Sequence, residues 1–144
     1  MKVFTIGFTK KNAERFFTQI RKAGISRIVD IRLNNTSQLA GFTKKDDLKF
    51  FLREICNIDY VHMPELAPTK EILDAYKKKS GDWNAYEHQY IELLNKRRIE
   101  STLPRNLIDG GCLLCSEATP EQCHRRLAAE YLRDRWGDME IHHL

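Results

Sequence analysis

Ile25-Ser26-Arg27-Ile28-Val29-Asp30-Ile31 is the stretch whose reading decides the fold. It is short, apolar and rich in β-branched residues, as a buried strand should be. Upstream, Val3 to Ile6 is a second such run. Between the two, Ala13, Phe16, Phe17, Ile20 and Ala23 recur at helical spacing and stop at Gly24, a residue suited to the position after a helix. A helix of this length between two strands lets them pair in parallel as a βαβ unit.

The pattern continues outward. Leu48, Phe51, Leu52 and Ile55 predict a second helix, with Thr43 as its cap, and Ile58-Asp59-Tyr60-Val61-His62 predicts a third strand ended by Met63-Pro64. Residues 69–79 and 82–99 read as two more helices. Trp83, Tyr86, Tyr90, Leu93 and Leu94 share one face of the latter, which suits core packing better than a binding platform. After the turn Asp109-Gly110-Gly111, Cys112-Leu113-Leu114-Cys115 is too short for a helix and stands where a fourth strand should come. Thr119, Pro120 and Gln122 occupy the cap, first-turn and capping-box positions of a helix from 120 to about Trp136. Met139-Glu140-Ile141-His142 is the candidate last strand. The order predicts one α/β domain over residues 1–144: a mostly parallel five-stranded sheet with helices on both faces, a Rossmann-like three-layer arrangement.

Composition agrees with a globular chain. Of 144 residues, 42% are hydrophobic and 31% charged, which argues against disordered and fibrous classes. The net charge of +4 is spread through mixed-sign segments. The densest basic stretches, Lys96-Arg97-Arg98 and Arg125-Arg126, fall on predicted helices as solvated faces would. Nucleic acid is thus permitted but not indicated, and a small anionic substrate or nucleotide explains the excess equally well. The first residues lack the apolar centre of a signal peptide, and no window is long enough to span a bilayer, so no membrane partner is expected. We read the protein as cytoplasmic, with Cys56, Cys112, Cys115 and Cys123 as thiols.

In open parallel sheets, ligands bind beyond the carboxyl ends of the strands. Here those ends carry Gly7-Phe8-Thr9, Asp30-Ile31-Arg32, His62-Met63-Pro64, Cys115-Ser116-Glu117 and His142-His143, whereas the opposite edge supplies mainly turn residues. Cys115, facing a helix N-terminus, is the candidate nucleophile; the plainer reading is a small buried hydrophobe. Arg125 can clamp an anion in a bidentate fork or form a surface ion pair. His124 can face the site as acid, base or donor, and Glu117 can orient an imidazole or accept a proton. Cys123 shares a helical stripe with Leu127 and Tyr131, so core packing is expected of it. Asp30 and Arg32 share a strand face, either as part of the site or as an ion pair fixing a loop. His62 completes the cluster, while His142 and His143 are expected to be end-of-strand residues.

Cys112, Cys115, Cys123 and His124 invite a zinc reading. On a strand, however, Cys112 and Cys115 point to opposite faces, and Leu113-Leu114 supplies no tight turn. Neither a metal nor another cofactor is expected.

The string Leu113-Leu114-Cys115-Ser116-Glu117, Pro120, Cys123-His124-Arg125 strongly resembles the signature of the DUF488 family, a domain of unknown function found mainly in prokaryotes. Thr5-Ile6-Gly7, Asp30-Ile31-Arg32, Ser37, Phe42 and Tyr60-Val61-His62-Met63-Pro64-Glu65-Leu66 match it as well. The resemblance runs from residue 5 to about 142. It implies the α/β fold and the motif positions, and brings Ser37 and Thr9 into the candidate anion-binding set with Arg32, Arg125 and Asp30. Two departures stand out: Phe8-Thr9 where the family often has His-Ser, and Ala67-Pro68 where it often has Gly-Gly.

Two functions compete. One is an enzyme on a small anionic or nucleotide-like substrate, with Arg32 and Arg125 holding the anion, Cys115 attacking and His62 or His124 moving the proton. A sulfur- or phosphoryl-transfer variant is disfavoured by spacing, because Arg125 follows Cys115 by ten positions where a phosphatase-type loop needs about six. The other is a non-catalytic module that binds a nucleotide or nucleic acid in the same pocket.

Overall fold

The computed structural model describes residues 1–36, 41–78 and 81–144. Five strands, β1 (Lys2–Gly7), β2 (Arg27–Asp30), β3 (Asp59–His62), β4 (Gly111–Cys115) and β5 (Glu140–His143), form one sheet in the order β3-β2-β4-β1-β5. Every pairing is parallel, where the sequence suggested only a mostly parallel sheet.

Side-chain alternation divides the interior into two layers. Ile6, Ile28, Cys112 and Leu114 face α1 (Ala13–Ala23) and α2 (Lys45–Phe51), packing with Phe16, Phe17, Ile20, Leu48 and Leu52. Val3, Val29 and Leu113 face the other way, onto Tyr90 and Leu94 of α4 (Trp83–Arg97) and Leu127, Ala128 and Leu132 of α7 (His124–Trp136). Helices therefore cover both faces. Asn12 caps α1 by accepting from the Arg15 amide at 2.8 Å, and Gly24 ends it in the left-handed region at φ 69°. Asp82 caps α4 in the same way.

Element boundaries differ from expectation where backbone geometry overrides periodicity. The second helix is three pieces: a 3-10 turn at Gly41–Thr43, α2, and a π turn at Leu52–Cys56 that stops at Asn57 with φ 54°. Lys44, not Thr43, stands at the α2 cap, while Thr43 is buried and its carbonyl accepts from Arg32. α3 (Lys70–Lys78) falls within its predicted range. Arg98 turns left-handed at φ 53° and ends α4, and the one-turn helices α5 (Ile99–Thr102) and α6 (Arg105–Ile108) follow. Such short pieces carry too few residues to show a period. The last helix starts at His124, four residues later than its capping signal. Residues 116–123 are instead held across the strand ends by bonds that the local sequence does not announce. Among the described residues, no helix is long and apolar enough to cross a membrane.

Candidate functional site

The carboxyl ends of β1, β2 and β4 and the N-terminus of α7 surround a cleft of about 350 Å³, lined among others by Phe8, Arg32, Trp83, Tyr86, Cys115, Glu117, Cys123 and His124. Strand alternation aims the chemistry. Cys112 points into the α1 layer, where burial pushes its thiol well up and keeps it protonated, and Cys115 points to the α7 side.

Arg125, in the first turn of α7, is fully buried. Its Nη1 donates to the Glu117 carbonyl at 2.5 Å and to the Cys115 sulfur at 3.4 Å, with the Cys123 sulfur 3.9 Å away. Nε donates to the Thr5 hydroxyl at 3.2 Å, and that hydroxyl lies 2.6 Å from His143 Nδ1. Nη2 has no hydrogen-bond partner, and among the described residues no carboxylate pairs with this guanidinium. Gly7 makes the arrangement sterically possible. A Cβ there would stand 1.6 Å from the Glu117 carbonyl oxygen and 2.6 Å from Arg125 Nη1. The Ser116 carbonyl is fixed from the same side by the Thr9 amide at 3.0 Å and its hydroxyl at 2.5 Å.

Arg32 is differently placed. Its Nε and Nη2 each donate to the Asp30 carboxylate at 2.9 Å, and Nη2 also reaches the Thr43 carbonyl at 2.7 Å. Tyr60 donates its hydroxyl to the same carboxylate at 2.5 Å, and burial together with this bond raises the phenol far above its usual range. The pair is buried and bonded through Nε and Nη2, and it presents Arg32 to the cleft wall beside Phe8, whose ring centre is 5.4 Å from the guanidinium carbon. His62 lies outside the cleft lining, with Nε2 3.0 Å from the Arg32 carbonyl.

His124 Nε2 donates to the Ile31 carbonyl at 2.8 Å, which leaves Nδ1 as a lone pair. Burial lowers its pKa to about 4, so the ring is neutral at pH 7. The expectation of four thiols does not hold. Cys115 and Cys123 are joined as a disulfide, while Cys56 and Cys112 are free. Because the 116–123 loop folds back over the strand ends, Cys123 meets Cys115 at the cleft floor and is not simply part of the helix's core stripe. The two sulfurs and a His124 ring nitrogen all lie within 4.8 Å of one another, and these three residues could hold a metal ion.

Of the residues singled out from sequence, Cys115, Glu117, His124 and Arg32 converge on the cleft, with Arg125 directly behind the sulfur and Asp30 behind Arg32. His62 and Thr9 brace the surrounding backbone. Ser37 lies outside the described residues. Cys123, Thr5 and Gly7 contribute as well, although the sequence reading gave Cys123 to core packing and assigned no site role to Thr5 or Gly7. The adjacency Cys123-His124-Arg125 was the available signal for the first, but Thr5 and Gly7 join only through β1–β4 pairing, which sets Gly7 opposite Cys115. The aromatic face of α4 serves both core and cleft: Tyr86 and Tyr90 are buried, while the partly buried Trp83 stacks on Tyr86 at 5.0 Å in the cleft lining.

Comparison with known proteins returns a single kind of match. Residues 12–132 match the family described as domain of unknown function DUF488. No match was found among curated proteins or among solved structures.

Proposed function

Starting from the premise that the chain belongs to the DUF488 family, we propose that it is an enzyme acting on a small anionic, nucleotide-like substrate bound in the cleft, with reduced Cys115 as nucleophile. One observation carries this reading: a fully buried guanidinium, without a carboxylate partner among the described residues, sits 3.4 Å from the Cys115 sulfur. A buried cation is costly unless an anion or dipoles compensate it. The Glu117 carbonyl and Thr5 hydroxyl supply dipoles, and a thiolate at Cys115 supplies the charge. Neutral His124, with a free Nδ1, is the group that accepts a proton. Arg32, oriented by Asp30, offers a cation on the cleft wall, and the partly exposed Trp83 ring, backed by buried Tyr86, offers a flat apolar surface for a base.

The test is thiol reactivity. In reduced, chelator-treated protein near neutral pH, Cys115 should react with iodoacetamide faster than Cys56 and Cys112, and added nucleotide should slow it. Labelling no faster than at Cys56, whose thiol is raised by burial, refutes the nucleophile assignment.

A further inference from the structure

Cys115 ends β4, Cys123 stands at the cap of α7, and His124 is the first residue of that helix, so three potential ligands come from two rigid elements to one point. The Cα atoms of the two cysteines are 7.6 Å apart. Relaxed disulfides usually span about 4.4–6.8 Å between Cα atoms, so the backbone holds these side chains farther apart than a sulfur–sulfur bond favours. Such a separation suits two sulfurs converging on a third atom, with metal–sulfur bonds of about 2.3 Å. The surroundings fit that arrangement. His124 is oriented by donating Nε2–H to the Ile31 carbonyl, the support that metal-binding imidazoles use, and Arg125 Nη1 lies within reach of both sulfurs.

We propose that reduced Cys115 and Cys123 together with His124 Nδ1 bind one divalent ion of the zinc class, with the fourth tetrahedral position open to the cleft. Two thiolates and an imidazole select zinc-like ions over magnesium or calcium, which favour oxygen ligands. Binding exchanges the two thiol protons for the ion, so both sulfurs are held as thiolates, and the open position takes water or a heteroatom of the cleft's ligand. The disulfide excludes the ion because it removes both charged ligands. The ion-loaded state is distinct from the metal-free one of the proposed function, because with the ion bound Cys115 Sγ and His124 Nδ1 are ligands and neither attacks nor accepts a proton; the site rests on that reading only for the cleft ligand that fills the fourth position. Cys112 takes no part, since strand alternation turns it to the opposite face.

Cobalt(II) is the probe, because thiolate–cobalt charge transfer and tetrahedral d–d bands report the ligand set directly. The reduced, chelator-treated full chain should bind one cobalt with both features, and zinc should displace it. Cys123→Ser and His124→Gln should lose the bands at cobalt concentrations that saturate the unaltered chain, whereas Cys56→Ser should keep them. Oxidising the unaltered chain to the Cys115–Cys123 disulfide should abolish the bands and reduction should restore them, a readout that does not depend on any variant folding. Absence of the bands in the reduced chain, or their survival after the disulfide forms, overturns the site. The iodoacetamide experiment uses metal-free protein, so failure of the metal site and failure of the nucleophile reading are separate results.

Discussion

Gly7→Ala is the sharpest test of the way the site is assembled. The added methyl carbon would sit 1.6 Å from the Glu117 carbonyl oxygen, and real Cβ contacts essentially never fall below 3.0 Å. The 117 carbonyl must therefore retreat by about 1.4 Å or more, and it is backbone of the 116–123 loop, whose position is fixed by the bonds to Thr9 and Arg125. That movement breaks its 2.5 Å bond from Arg125 Nη1, and the same methyl group also crowds Nη1 directly. Overpacking costs roughly 1–3 kcal/mol. A hydrogen bond to a charged group contributes roughly 1.5–3 kcal/mol more. The expected loss is about 3–5 kcal/mol, read as a lower urea midpoint under reducing conditions with an unchanged slope. Gly41→Ala is the control: among the described residues nothing lies within 4 Å of its Cβ position, so it should stay within about 0.5 kcal/mol of the parent. The substitution should also slow iodoacetamide at Cys115, because Arg125 is displaced from the sulfur. A Gly7→Ala protein as stable as the control, with undiminished labelling, would refute the close approach of the 117 carbonyl and the account of Arg125 built on it.

Two further perturbations probe the charges around the site. Asp30→Asn strands the buried Arg32 guanidinium and should cost about 3–5 kcal/mol in urea unfolding, more than the roughly 1.5–3 kcal/mol of Tyr60→Phe, which removes one bond to the same carboxylate; the reverse order would show that Arg32 does not depend on Asp30. Lys11 Nζ is buried without a partner among the described residues, and burial, with Arg125 nearby, lowers its pKa from 10.5 to about 8. Between those values the unfolded chain keeps a proton that the folded chain has released, so this group's contribution to stability rises with pH through that window. Lys11→Met should accordingly stabilise the fold most below pH 8, with the gain fading toward pH 10.5, and denaturant titrations giving the same gain at pH 7 and 10.5 would refute it.

The layers of this molecule were legible because they depend on local repetition. Apolar residues every three or four positions in Ala13–Ala23, and short β-branched runs such as Arg27–Asp30, report burial on one helical face or inside a sheet whatever the rest of the chain does. The split of Cys112 from Cys115 followed from strand alternation alone. The capping signal at Thr119 and Pro120 failed for a complementary reason. Its competitors are a long-range bond from Thr9 to the Ser116 carbonyl and a bond from Arg125 back to the Glu117 carbonyl, and helical periodicity encodes neither.

The amino-acid order by itself determined the α/β layering, the strand edge where chemistry collects, and the candidate roles of Cys115, Arg32, Arg125 and His124. Only the tertiary structure decided that Arg32 is already satisfied by Asp30 while Arg125 meets a sulfur, that Cys123 joins Cys115, and that Gly7 leaves room for a carbonyl. Periodicity is a property of neighbours along the chain. The partner of a buried charge is instead set by strand register and by where a loop crosses the sheet, and both arise only when distant segments pack.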